Sequence, residues 1–193
     1  MGKIVIVTGI PGTGKTTVCN ELSKLTENSG KKISVINYGS VMVNLTEEQG
    51  KLFHRDKLRK SQLFFQRGLQ AEAAETIALK TEKKAEDIVI DTHMSIKTTK
   101  GYWAGLPFHV LQILKPDIFV LIETDPHEVL HRRLKDVTRK RDNVLKSDIT
   151  EEFTFSRLMA ATCAVLTGAS VKIVKNPPKK QIKAAKEILK LLE

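Results

Sequence analysis

Residues 9–16 read Gly-Ile-Pro-Gly-Thr-Gly-Lys-Thr, and that run leaves the chain few folds to choose from. It satisfies the spacing GxxxxGK[ST] at every required position. Before it lies Lys3-Ile-Val-Ile-Val-Thr8, a β-branched apolar run of strand length. After it, Val18, Leu22 and Leu25 recur at helical spacing. A strand, a glycine turn and a helix in this order make a phosphate cradle. The glycines let the backbone curl so that successive N–H groups point inward at a phosphate. The helix starting near Lys15 adds its positive end. Lys15 is placed to span β- and γ-phosphates, and the Thr16 hydroxyl to ligate Mg²⁺. The candidate ATP site is therefore Gly9, Ile10, Pro11, Gly12, Thr13, Gly14, Lys15, Thr16 and Thr17.

Apolar runs and amphipathic stretches alternate along the rest of the chain. Strands are expected at 32–37, 87–91, 117–123 and 170–175, besides the first. Helices are expected from about Lys15, from Val41 to Glu86 with breaks near Gly50 and Arg55, after Asp125-Pro126, from Glu151 to Thr167, and from Pro177-Pro178 onward. Gly30 marks the turn into the second strand. Strands apolar throughout and separated by helices imply a parallel sheet covered on both faces. The expectation is a three-layer α/β/α P-loop fold with a five-stranded parallel sheet.

The strand Asp-Ile-Val-Ile-Asp ends at Asp91, whose carboxylate faces the same sheet edge as the phosphate loop. There it can hold magnesium through water. The net charge of +10 concentrates in two places. Residues 132–141 carry Arg132, Arg133, Lys135, Arg139, Lys140 and Arg141 against a single acid, Asp136. Arg132, Arg139 and Arg141 could fold over transferring phosphates and neutralise their charge. In the tail, Lys179, Lys183, Lys186 and Lys190 recur at helical spacing and read as a solvated face. Arg55 and Arg59 stand four apart, where they could clamp an acceptor phosphate. His127 and His131 also stand four apart, but no third metal ligand accompanies them. Cys19 and Cys163 are widely separated and read as reduced and packed. No apolar run approaches membrane length and no leader precedes the first strand, so a cytoplasmic chain is expected.

The chain resembles the archaeal type of adenylate kinase. The marks are GIPGTGKTT at 9–17, INYG at 36–39, RDKLRK at 55–60, IDTH at 90–93, GYWAGLP at 101–107 and TRKRD at 138–142. The phosphate loop is widely shared, whereas the combination of NYG, DTH and GYxxGLP is narrow. The resemblance covers essentially the whole chain. It implies a core of residues 1–37, 71–131 and 147–193, a helical AMP-binding insertion at about 38–70, and a short lid at about 132–146. By that resemblance Tyr38 and Gly39 join Arg55 and Arg59 in the AMP site. His93, two residues after Asp91, is a further AMP-site candidate that could instead orient Asp91 or make a structural hydrogen bond. It further implies Mg²⁺ with ATP, AMP and ADP as ligands, and assembly as a homotrimer.

An AMP phosphate oxygen is already anionic at neutral pH, so no general base is required. Catalysis then reduces to placing two anions in line and cancelling charge, with water excluded. Two other readings stay open on the residues alone. One is a kinase for another nucleoside monophosphate or a small alcohol, with Asp91 as base. The other is an ATP-dependent RNA- or ribosome-associated switch, which the positive charge permits. Stoichiometric reversible phosphotransfer would favour the kinase, and salt-sensitive RNA retention with slow ATP hydrolysis the switch; a nucleic-acid partner is not the expectation.

Overall fold

The computed structural model describes residues 2–27, 33–50, 63–84, 86–98, 101–135 and 145–193. Its sheet is built from β1 (Ile4–Thr8), β2 (Ile33–Asn37), β3 (Asp87–Asp91), β6 (Ile118–Glu123) and β7 (Ser170–Lys175) in the order β2-β3-β1-β6-β7. Every pairing in it is parallel, for instance Val5 with Val89 and with Ile118. β1 is central because all five of its residues are buried. The chain crosses to one side of β1 first and to the other side later. The carboxyl ends of β1, β3 and β6 therefore open on one crevice.

Alternation along β1 sends its side chains into two cores. Val5 and Val7 pack with Val18 and Leu22 of α1 (Lys15–Glu27) and with Ala185 and Ile188 of α7 (Gln181–Leu191). Ile4 and Ile6 pack on the opposite face with Ala73 and Ile77 of α3 (Leu63–Lys84), Val110 and Leu114 of α4 (Phe108–Leu114), and Ala160 of α6 (Lys146–Thr167). Leu22 is fully buried, and burying a side chain of that size stabilises the fold by about 1.5–3 kcal/mol. A third, small cluster joins Ile10 of the phosphate loop to Val129 of α5 (Pro126–Lys135) and to Ile149 and Phe153 of α6.

The expected sheet is present, and four local differences have physical causes. The helix expected from Val41 starts at Tyr38 as α2 (Tyr38–Glu48), because Asn37 Oδ1 accepts from Ser40 N at 3.0 Å and caps it. It ends before Gly50, which takes φ +72°. The last helix begins at Gln181 rather than at the prolines, since Lys179 adopts φ +60° and Lys180 N bonds back to Pro177 O. α6 begins at Lys146 rather than Glu151, with Asp148 accepting from Leu145 N at 2.9 Å. An unexpected antiparallel pair, β4 (Ser95–Thr98) and β5 (Gly101–Ala104), lies beside the main sheet. Gly30 and Arg55, the other expected break points, lie outside the described residues. Both cysteines are free and buried, as expected.

Candidate active site

The phosphate loop runs from the end of β1 to the first turn of α1. Gly12 and Gly14 take φ of +97° and +84°, so the backbone turns through the left-handed region on either side of Thr13. Thr13 N and Oγ1 both donate to Ile10 O, closing the turn. Around it, Arg133 Nε donates to Pro11 O at 2.8 Å, Arg132 Nη1 to Gly12 O at 3.3 Å, and Asn176 Nδ2 to Thr13 O at 2.8 Å. His93 Nδ1 lies 3.2 Å from Gly9 O.

Lys15 is buried at the start of α1, and its Nζ pairs with Asp91 Oδ1 at the end of β3. The other Asp91 oxygen accepts from Asn37 Nδ2 at 2.7 Å. Asn37 thus uses both ends of its amide, one to cap α2 and one to orient the acid. Thr16 is exposed at the mouth of the loop. Beneath these groups Cys19 is buried, and burial first, then the Asp91 charge, push its thiol up to about 12. A thiol so protonated packs as a small apolar group.

Beyond Lys15 and Asp91 opens a cleft walled by Tyr38, Gly39 and Met42 of α2, Gln66 and Gln70 of α3, and Thr92, His93 and Gly105. Tyr38 is buried, which raises its phenol's pKa, and its hydroxyl donates to Gln70 O. Gln70 Nε2 in turn donates to Gly105 O at 3.2 Å. A Cβ on Gly105 would stand 1.8 Å from His93 O, so only glycine lets these two segments meet here.

The structure brings together Lys15, Asp91, Tyr38, Gly39 and His93 around one cleft, with Thr16 exposed next to Lys15 and Arg132 at the loop's outer side. Arg55, Arg59, Arg139 and Arg141 lie outside the described residues. Arg132 also donates to Glu128 at 2.7 Å. Sequence reasoning missed Asn37, Arg133, Glu152 and Asn176. Arg133 was within reach of it, because Val129 four residues earlier sets the buried face of α5. Its guanidinium forms a two-pronged pair with Glu152 at 3.0 and 2.7 Å. Nothing local marks Asn176, which meets the loop only through the fold.

The family model described as "AAA domain" matches residues 8–150. The chain is 44% identical to the adenylate kinase of Methanocaldococcus jannaschii, over 99% of this chain and 98% of that one. It is 43% identical to the adenylate kinase of Methanopyrus kandleri, over 98% and 97%. It is 40% identical to that of Thermoplasma acidophilum, over 97% of each. Among solved structures, a shikimate kinase from Acinetobacter baumannii superposes with a TM-score of 0.63 at 16% identity, covering 100% of this chain and 93% of that one. That likeness carries the fold.

Proposed function

This chain belongs to the archaeal adenylate kinase family, and we propose a division of labour among its residues from that premise. The chain is a nucleoside monophosphate kinase that moves the terminal phosphoryl group of ATP reversibly onto AMP, giving two ADP. The loop N–H groups of residues 9–17 and Lys15 hold the ATP phosphates. Gly39, at the start of α2, and His93 face the AMP side, where Tyr38 forms the wall. Arg55 and Arg59 clamp the acceptor phosphate, and Arg132, Arg139 and Arg141 neutralise the phosphoryl group in flight. The acceptor insertion spans about 38–70 and the lid about 132–146. Their closure over the cleft excludes water, which otherwise would take the phosphoryl group.

The donor set fits magnesium. Mg²⁺ keeps several waters and takes one or two protein oxygens plus substrate phosphates. Thr16 and Asp91 offer such a pair on adjoining ends of α1 and β3. Among the described residues no group of three His, Cys, Asp or Glu forms a protein-only cage. When bound, the ion would neutralise phosphate charge. Asp91 also steers Lys15, so the ammonium is held at the loop before substrate arrives.

The single observation that carries this reading is the Lys15–Asp91 pair at the junction of loop and cavity. We further propose a homotrimer in the cytoplasm. Exposed Leu158, Val165 and Leu166 on α6 support a buried face between copies. Val171 and Ile173 on edge strand β7 add to it, and no described helix is long and apolar enough to cross a membrane.

The test is ADP formation from Mg·ATP with AMP, CMP, UMP, GMP or no acceptor. Fast turnover with AMP, reversible from pure ADP, is expected. Slow ADP release indifferent to the acceptor would overturn the assignment.

A further inference from the structure

Side chains from three places in the fold grip the outside of the phosphate loop. They are His93 after β3, Arg132 and Arg133 on α5, and Asn176 after β7. Each meets a backbone carbonyl, and none of these contacts is to a loop side chain. In a trans peptide the C=O and the following N–H point in opposite directions. A carbonyl held outward therefore turns the next N–H inward. Arg133 holds Pro11 O, which precedes the Gly12 N–H. Asn176 holds Thr13 O, which precedes the Gly14 N–H. These are the two loop glycines with positive φ, the residues least able to keep an orientation by themselves.

We infer that Arg133 and Asn176 are positioning residues for the donor phosphates, aiming the Gly12 and Gly14 N–H groups by tying the carbonyls before them. The inference rests on the reading that this loop binds ATP phosphates. Donors aimed in advance need no reorganisation when charge arrives. Two further observations fit a built device. The Arg133 guanidinium is locked by both oxygens of buried Glu152, which leaves Nε directed at the loop. Asn176 is 3% exposed, and its amide nitrogen stands 2.7 Å from where a Gly14 Cβ would be. Its Oδ1 is buried without a hydrogen-bond partner among the described residues. An unpaired buried acceptor is costly, so the donor end accounts for the residue's presence. His93 lines the acceptor cavity and Arg132 is a proposed catalytic group, so Arg133 and Asn176 isolate the effect.

The experiment measures Mg·ATP affinity by calorimetry, KM for ATP and for AMP, and melting temperature, on Asn176→Ala, Asn176→Asp and Arg133→Lys. ATP affinity is expected to fall about tenfold or more, a factor worth ~1.4 kcal/mol per decade, with AMP KM unchanged. Asn176→Asp should be worse than Asn176→Ala, because it sets a carboxylate against Thr13 O. Unchanged ATP affinity in folded variants overturns the inference. So does an equal loss for both substrates that merely tracks melting temperature. If Arg133→Lys fails to fold, Glu152→Gln keeps the shape and loosens the guanidinium. It should weaken ATP binding in the same direction, and no weakening counts against the idea. Calorimetry with ATP needs no acceptor. A wild-type protein that binds ATP but ignores AMP would sink the acceptor assignment and leave this test standing.

Discussion

The two sides of the cleft are built in opposite ways. On the phosphate-loop side, which we propose for the donor, side chains outside the loop hold its backbone carbonyls. On the side we propose for the acceptor, the backbone is locked in α2 and α3, and side chains such as Gln66 and His93 form the wall. A phosphate is the same in every nucleotide, so a cradle of N–H groups suffices and needs only rigidity. A base differs between nucleotides, and side-chain amides can tell one edge from another. The donor side should therefore fail through lost geometry, and the acceptor side through lost selectivity.

Lys15→Ala is the harshest test of the donor side. It removes the buried ammonium that pairs with Asp91 and leaves that acid with Asn37. The expected loss in kcat is about 10³-fold or more, with circular dichroism unchanged. A loss below about tenfold would mean that Lys15 does not touch the transferring group.

Gly105→Ala attacks the acceptor side at its tightest point. The new methyl would meet His93 O at 1.8 Å, and such overpacking costs about 1–3 kcal/mol. His93 and the Gln70 contact must shift, so KM for AMP should rise about tenfold while calorimetric ATP affinity holds. An equal loss of ATP affinity would show that the two sides are mechanically one, because His93 also reaches Gly9 O.

The parts of this cleft that a reader of the sequence can place are those with local causes. The loop is legible because its glycines, lysine and threonine are each required by type. Asp91 is legible as an acid ending a buried strand. Three of the five sheet strands, β1, β3 and β6, stand out because they are buried almost throughout. The β4–β5 pair is not legible, because Ser-Ile-Lys-Thr and Gly-Tyr-Trp-Ala show no clear alternation. It is steadied from a distance, by Tyr102 stacking on Phe155 with ring centroids 4.2 Å apart. Asn176 is hidden for a related reason. It binds a carbonyl, which any donor could do, from 163 residues away.

Gln66→Leu sharpens the acceptor half of the comparison. Gln66 is buried on the cavity wall, one helical turn before Gln70. An amide facing an adenine edge is worth about 1–3 kcal/mol of discrimination. The ratio of kcat/KM for AMP over CMP should fall about tenfold, with ATP affinity unchanged. A preserved ratio would move base recognition to another part of the wall.

The smallest effect concerns the frame behind the donor side. Glu123 ends β6, and its backbone carbonyl accepts from Asn176 N at 2.7 Å. Burial alone would push its carboxyl up, but hydrogen bonds from Arg157 and Lys175 outweigh this and hold it below the usual range. A carboxyl lowered in the folded state adds stability above its unfolded value, near 4.3, and loses it as pH falls through the folded one. Arg157 is half exposed and screened by water, so Arg157→Ala should cost about 1 kcal/mol or less at pH 7. The gap between wild type and variant in urea midpoint should hold from neutral pH down to about pH 5 and narrow below it, as Glu123 is protonated in both. ATP affinity should stay put, because Asn176 is tied to β6 through the backbone and not through the Glu123 carboxylate. A fall in ATP affinity would extend the grip on the phosphate loop one layer further out, to the α6–β6 ion pair.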